Sequence, residues 1–252
     1  MRHLAIAAAM TVAAMGAAQA APTVLVTYEA AGVVNSTAGF DFKGVETFNS
    51  RAVGNNQTFS SDFGTTGQST VISGTYTGVD ISANNVYGGA GNTNFAVTFS
   101  GTGYSVLSLT ETTSGGSTGL NYFGYWLSAL DSGNRVQLLS GGSVIFTFNP
   151  SDVIAAIGGC PNAGNPYCGN PVSGPNQGGN TAEPYVFVNF FVSGGTFDAV
   201  RFYEDPQVGG YESDNHTVGF YNATSGTPVG VPEPATLGLL GAGLLGLGAL
   251  AR

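Results

Sequence analysis

Four acidic residues gather late in the chain: Glu204, Asp205, Glu212 and Asp214. Carboxylates grouped in this way, helped by backbone carbonyls, could hold Ca2+, which takes six to eight oxygen ligands. Their spacing is not that of an EF-hand loop, and a solvated acidic loop is the simpler expectation. Paired carboxylates also serve glycosidases, but nothing in this spacing fixes the separation between carboxyl groups that such chemistry needs. A second pattern, Gly115-Gly116-Ser117-Thr118-Gly119, matches the GxSxG nucleophile elbow. A working elbow has a strand before the serine and a helix after it. Here the serine lies in a flexible loop and a β-like segment follows it, and a chain with 40 Gly produces such matches by chance. His216 is the one histidine available as a base, because His3 sits in the first 20 residues. It is expected to make a local hydrogen bond at a strand start, and a lone His without partner ligands argues against catalytic zinc. A hydrolase is therefore the remotest reading, and the chain is expected not to be an enzyme.

Tyr122, Tyr125 and Trp126 could stack on sugar faces, as in a carbohydrate-binding module. Alternation along a strand places 122, 124 and 126 on one face and 123, 125 and 127 on the other. One face must be core, so only part of this set can meet a ligand, and core packing is the expected role of Trp126. Cys160 and Cys168 are the two cysteines. In an exported chain they are expected to pair, closing a short loop worth about 2–3 kcal/mol. The alternative, a pair of zinc ligands, lacks the further Cys or His that zinc requires.

The elements that must position these residues follow from composition. Charged residues are 8% of the chain against about 25% in ordinary domains, while apolar and aromatic residues reach 42%. A real core is possible, and the polar surface must be mostly uncharged. Six Lys+Arg and a net charge of −9 exclude the clustered cations that displace counterions from nucleic acid. They also argue against electrostatic docking on anionic lipid. Gly, Ser, Thr and Asn favour strands and turns over helices. Runs rich in Val, Phe, Tyr and Thr predict strands at 23–28, 69–76, 95–99, 104–110, 122–130, 135–139, 143–148, 185–192, 196–203 and 216–221. Asp131-Ser132-Gly133-Asn134 and Ser140-Gly141-Gly142 read as hairpin turns that give a three-stranded meander from Tyr122 to Phe148. Ser193-Gly194-Gly195 reads as a further hairpin. One short helix is expected at 151–157, with Ser151 as N-cap after Pro150. The expected fold is all-β, a sandwich or jelly-roll-like body in one domain, residues 21–230. The Pro- and Gly-rich loop 158–183 is long for a structureless connection, so it needs a staple, and the cysteine pair provides it.

The two ends differ from the body. Arg2, an apolar run from Leu4, and Ala18-Gln19-Ala20 read as a secretory signal helix, residues 1–20, cleaved after Ala20. At the other end, Val231-Pro232-Glu233-Pro234 precedes an uncharged run, and Arg252 follows it. Residues 235–251 are expected to form a membrane helix about 25 Å long, slightly short of a typical bilayer core. The prolines stop that helix from extending upstream. Gly241-Ala242-Gly243-Leu244-Leu245-Gly246 matches a dinucleotide fingerprint, but no strand precedes it, so nucleotide binding is rejected. Gly238, Ala242 and Gly246 instead make a small-xxx-small face.

Pro232-Glu233-Pro234, the Gly/Leu-rich run and the terminal basic residue resemble the PEP-CTERM sorting signal, over residues 231–252. The sequence departs from that pattern in closing on the single Arg252 rather than on several basic residues. Residues 121–134 and 210–219 also resemble segments of exosortase-dependent surface proteins with β-rich bodies. The resemblance implies an exported, non-enzymatic cell-surface or matrix protein, transiently anchored in the membrane. Its implied partners are the secretion machinery, an exosortase acting at residues 231–234, and extracellular polysaccharide. It implies no cofactor.

Overall fold

The computed structural model describes residues 21–99, 104–113, 119–206 and 209–230. The expected signal helix with Ala18 and Ala20, the elbow residues 115–118, and the tail with Val231, Pro232, Glu233 and Pro234 lie outside the described residues. Among the described residues no helix is long and apolar enough to cross a membrane.

The body is predominantly β. Its strands are β1 (Thr23–Tyr28), β2 (Gly39–Glu46), β3 (Gly54–Ser61), β4 (Thr70–Ser82), β5 (Phe95–Phe99), β6 (Tyr104–Thr113) and β7 (Tyr122–Leu127). They continue with β8 (Asn134–Ser140), β9 (Ser143–Phe148), β10 (Val186–Ser193), β11 (Ala199–Glu204), β12 (Gly210–Ala223) and β13 (Thr227–Pro228). One helix, α1 (Pro150–Ile157), follows β9. Asn149 caps it by accepting from Ser151 N at 3.1 Å, and Pro150 opens it, so the expected Ser151 cap is corrected by two residues. Proline fits a first turn because its missing N–H would have had no helical partner.

All strands join one open hydrogen-bonded sheet in the order β13-β1-β10-β7-β12-β5-β4-β6-β11-β8-β9, with β2 added on β12 and β3 on β4. The sheet folds over on itself. Phe123 and Tyr125 of β7 meet Phe202 of β11 at ring distances of 5.9 and 6.1 Å. Phe190 of β10 meets Phe148 of β9 at 5.1 Å. These strands are far apart in the sheet order, so their contact brings two halves of one sheet face to face around a shared core.

That arrangement corrects the expected meander. β7 pairs with β10 and β12, whereas β8 pairs with β9 and β11. The segment 131–134 is therefore not a hairpin turn. It carries the chain from one half of the sheet to the other. Ser193-Gly194-Gly195 does the same between β10 and β11, which pair with other strands. Of these three expected turns, only Ser140-Gly141-Gly142 closes a hairpin, with Ser140 opposite Ser143. Turn residues specify a reversal, but which partner a strand takes is decided by burial of both its faces. β7 shows this: all six of its residues are buried. Its inner face enters the main core, and Trp126 on its outer face packs with Ala90, Ala129, Tyr185 and Phe187 in a second cluster.

Candidate functional site

The turn 131–134 and the segment after β11 meet at one corner of the body. Asp205 N donates to Gly133 O at 2.9 Å, and Asn134 N donates to Asp131 O at 3.2 Å. A side chain on Gly133 would press on Pro206 O, which sits 3.0 Å from where its Cβ would be. Gly133 thus favours the close approach of 205–206. Ser128 N, just beyond β7, donates to Glu212 O at 3.2 Å and ties the start of β12 to the same corner.

Two acidic environments share this corner. The outer one is an open cavity of about 560 Å³ whose lining includes Asn85, Tyr87, Asp131, Glu183 and Glu212. Burial pushes the Glu212 carboxyl up to about 8, with the charges of Glu183, Asp131 and Glu204 adding to it. Burial, then Glu183, raises Asp131 as well. The inner environment belongs to Glu204. It ends β11 opposite Asn134 of β8. Both follow the inward alternation of their strands, Glu204 with Val200 and Phe202, and Asn134 with Val136 and Leu138. Glu204 is 3% exposed and Asn134 fully buried, and neither Glu204 oxygen nor either Asn134 side-chain atom has a protein partner. Burial, then Asp131, pushes Glu204 up to about 7.

The acidic quartet read from the sequence is therefore divided. Glu204 and Glu212 reach the corner, joined by Asp131, Glu183 and Asn134, which the sequence did not single out. Asp205 is exposed. Asp214 is fully buried elsewhere, accepting from Ala90 N and Asn215 N at 2.7 Å each, so it pins backbone and is corrected as a cation ligand. Burial pushes it up to about 7, against those two hydrogen bonds. Among the described residues no three Asp, Glu, His or Cys side chains converge as a metal-binding group.

The sugar-stacking role is corrected for all three rings, and Trp126 packs in the core as expected. Tyr122 and Tyr125 are fully buried and Trp126 is 1% exposed. Tyr122 donates to Asn189 Oδ1 at 2.6 Å, and the Tyr125 and Tyr211 hydroxyls meet at 2.7 Å. No face of these rings is open, because β7 is covered on both sides. His216 lies buried within β12 rather than at a strand start, and it makes the expected local hydrogen bond, to Ser213. Its Nδ1 meets the Tyr76 hydroxyl at 3.1 Å and its Nε2 the Ser213 hydroxyl at 3.0 Å. Burial lowers it to about 3, so it is neutral at neutral pH. Cys160 and Cys168 are bonded, as expected, with Cα atoms 5.7 Å apart.

The body closes just ahead of its tail. β13 pairs with β1, Val229 N donates to Val26 O at 2.9 Å, and Val229 is buried in the core. Glu29, at the end of β1, accepts from Thr37 N and Oγ1, Asn189 Nδ2 and Ser225 Oγ at 2.8–3.1 Å. Those bonds hold the start and the end of the body together. No curated protein and no solved structure matches the chain. Residues 230–252 match the family model of the PEP-CTERM protein-sorting motif, so the chain carries, directly behind this closed body, a signal that implies exosortase-dependent export to the surface.

Proposed function

We propose that the chain is a non-enzymatic cell-surface or matrix protein, released from a transient membrane anchor by exosortase processing and held among extracellular polysaccharide. The sorting-motif match at residues 230–252 carries this reading. The junction supports it: β13 is paired with β1 and Val229 is buried directly ahead of residue 230, where the motif match begins. Pro232 and Pro234 keep the recognised segment out of any helix and leave its backbone open to an enzyme beside the bilayer. The apolar run after it sets its depth, since a helix satisfies its own backbone groups in lipid.

Replacing Pro232, Glu233 and Pro234 with Ala is expected to leave export intact and block processing, so that the unprocessed form accumulates in the membrane. Removing everything after Gly230 is expected to release the body into the medium. Normal processing of the triple variant would sink the reading. Mass spectrometry of the mature protein is expected to show an N-terminus at Ala21.

A second reading, a carbohydrate-binding module, is favoured by one observation. Tyr87 is 48% exposed on the cavity that Asn85, Asp131, Glu183 and Glu212 also line. An exposed ring beside hydrogen-bonding groups suits a sugar face. A glycan array separates the readings: specific binding lost in Tyr87→Ala supports the module.

A further inference from the structure

The inner half of the acidic corner has an electrostatic problem that the protein does not solve. A buried carboxylate is normally hydrogen-bonded or paired, because desolvating a charge is costly. Glu204 has neither kind of partner. Asn134, its cross-strand neighbour, is equally without one, although side chains at such paired positions stand only about 5 Å apart at Cβ. The two do not bond to each other. Arg135, next along β8, is no remedy. It points the other way and donates to Ser132 O and Asn149 Oδ1. The nearby charges are negative: Asp131 acts on Glu204 and raises it further.

The remaining groups at the corner are also acceptors. The carbonyls of Asp205 and Pro206 crowd Gly133, at 3.6 and 3.0 Å from its Cβ position. Asp131 lies at the start of the same turn, with its Oδ2 3.5 Å from the Cβ position of Gly209. Glu204 and Asn134 thus face each other without partners where two strands end, and Asp131 and the 205–206 carbonyls border the same turn. An all-oxygen set of mixed charge, with backbone carbonyls in it, suits Ca2+. It does not suit Zn2+, which favours tetrahedral sites built with His or Cys.

We infer that Glu204, Asn134 and Asp131, with the 205–206 carbonyls, form a Ca2+ site that fixes the β8–β11 corner. Its donors hold a modest net charge, so its affinity belongs with extracellular calcium modules, whose Kd values are on the order of 0.1–1 mM. The site is independent of the sorting reading. It differs from the acidic quartet, since Asp205 contributes only a carbonyl and Glu212 and Asp214 contribute nothing.

The test uses the full-length chain in detergent, stripped of metal with a chelator and then titrated with CaCl2 by calorimetry and thermal unfolding. Wild type is expected to bind one Ca2+ and to gain about 3–8 °C in Tm at several millimolar Ca2+. Glu204→Gln, nearly isosteric, is expected to lose both responses, and Asp131→Asn to weaken affinity about tenfold or more. Asp131 is the more exposed ligand, so that variant carries the test should Glu204→Gln fold poorly. Glu183→Gln, in the outer cavity, is expected to stay within about twofold of wild type. No heat and no Tm change in wild type at 10 mM CaCl2 would overturn the inference. So would a Glu204→Gln variant that keeps wild-type affinity, a Glu183→Gln variant that loses it, or an equal response to Mg2+, which demands a tighter octahedral shell.

Discussion

Glu29 and Glu204 are equally buried, each 3% exposed, yet their surroundings are opposite. Glu29 accepts four hydrogen bonds from three residues far apart in sequence. Glu204 accepts none from the protein. A carboxylate saturated by donors is a structural knot, and its charge is spent on holding backbone and side chains in place. A carboxylate left bare at the same depth, facing an equally bare amide, contributes nothing to the fold by itself. Burial alone therefore does not separate structural from ligand-binding acids in this molecule. The donor count does.

Variants can break or sharpen this contrast. The largest effect is expected for Glu29→Ala, which strands the donors of Thr37, Asn189 and Ser225. It should lower stability by about 3–5 kcal/mol, seen as a lower denaturant midpoint that Ca2+ does not restore. Glu212 falls between the two extremes. Its folded carboxyl titrates near 8, above the unfolded value near 4.5, so the native state binds its proton more tightly. Stability is then lost as pH rises from about 4.5 through about 8. Glu212→Gln should match wild type at pH 4 and exceed it by about 1–3 kcal/mol at pH 9, measured by chemical unfolding at both pH values. Glu204→Gln is expected to stabilise the metal-free protein by about 1–2 kcal/mol at pH 8, since a buried unpaired charge is removed. A clear loss of stability there would mean that Glu204 is paired after all, and the contrast would fail. The smallest effect belongs to Tyr122→Phe. Tyr122 donates to Asn189, which in turn donates to Glu29, so removing the hydroxyl should cost about 1 kcal/mol at any Ca2+ concentration.

Legibility followed locality. The runs Thr23–Tyr28 and Phe95–Phe99 coincide with β1 and β5, because Val, Leu, Phe and Thr carry their β preference within the segment itself. The Cys160–Cys168 bond was readable because two cysteines allow one pairing. β3 was missed. Its sequence, GNNQTFSS, has little β preference, and it exists by pairing with β4 through register shifts and a left-handed Asn56 (φ 49°). β2 was missed as well: Gly39 and Gly44 interrupt its apolar pattern, and β12 holds it. The acidic corner was half legible. Glu204 and Glu212 stood out as acids, whereas Asp131, Asn134 and Glu183 join them only because the chain changes sheet halves between β7 and β8. Part of the set Tyr122, Tyr125 and Trp126 looked available because one exposed face was assumed. A strand covered on both faces leaves none.

The pairing of β1 sets an order of events for a chain that crosses a membrane from its N-terminus. Thr23 and its neighbours emerge first, but their partners are β10, about 160 residues later, and β13, about 200 residues later. Contacts this distant are made late, because loop closure must precede them. The first strand therefore waits, with its edge open, until the last residues before the sorting motif have passed through. Body closure and arrival of the motif at the membrane become nearly simultaneous. A processing enzyme that acts on the tail then meets a body whose last strand has only just become available.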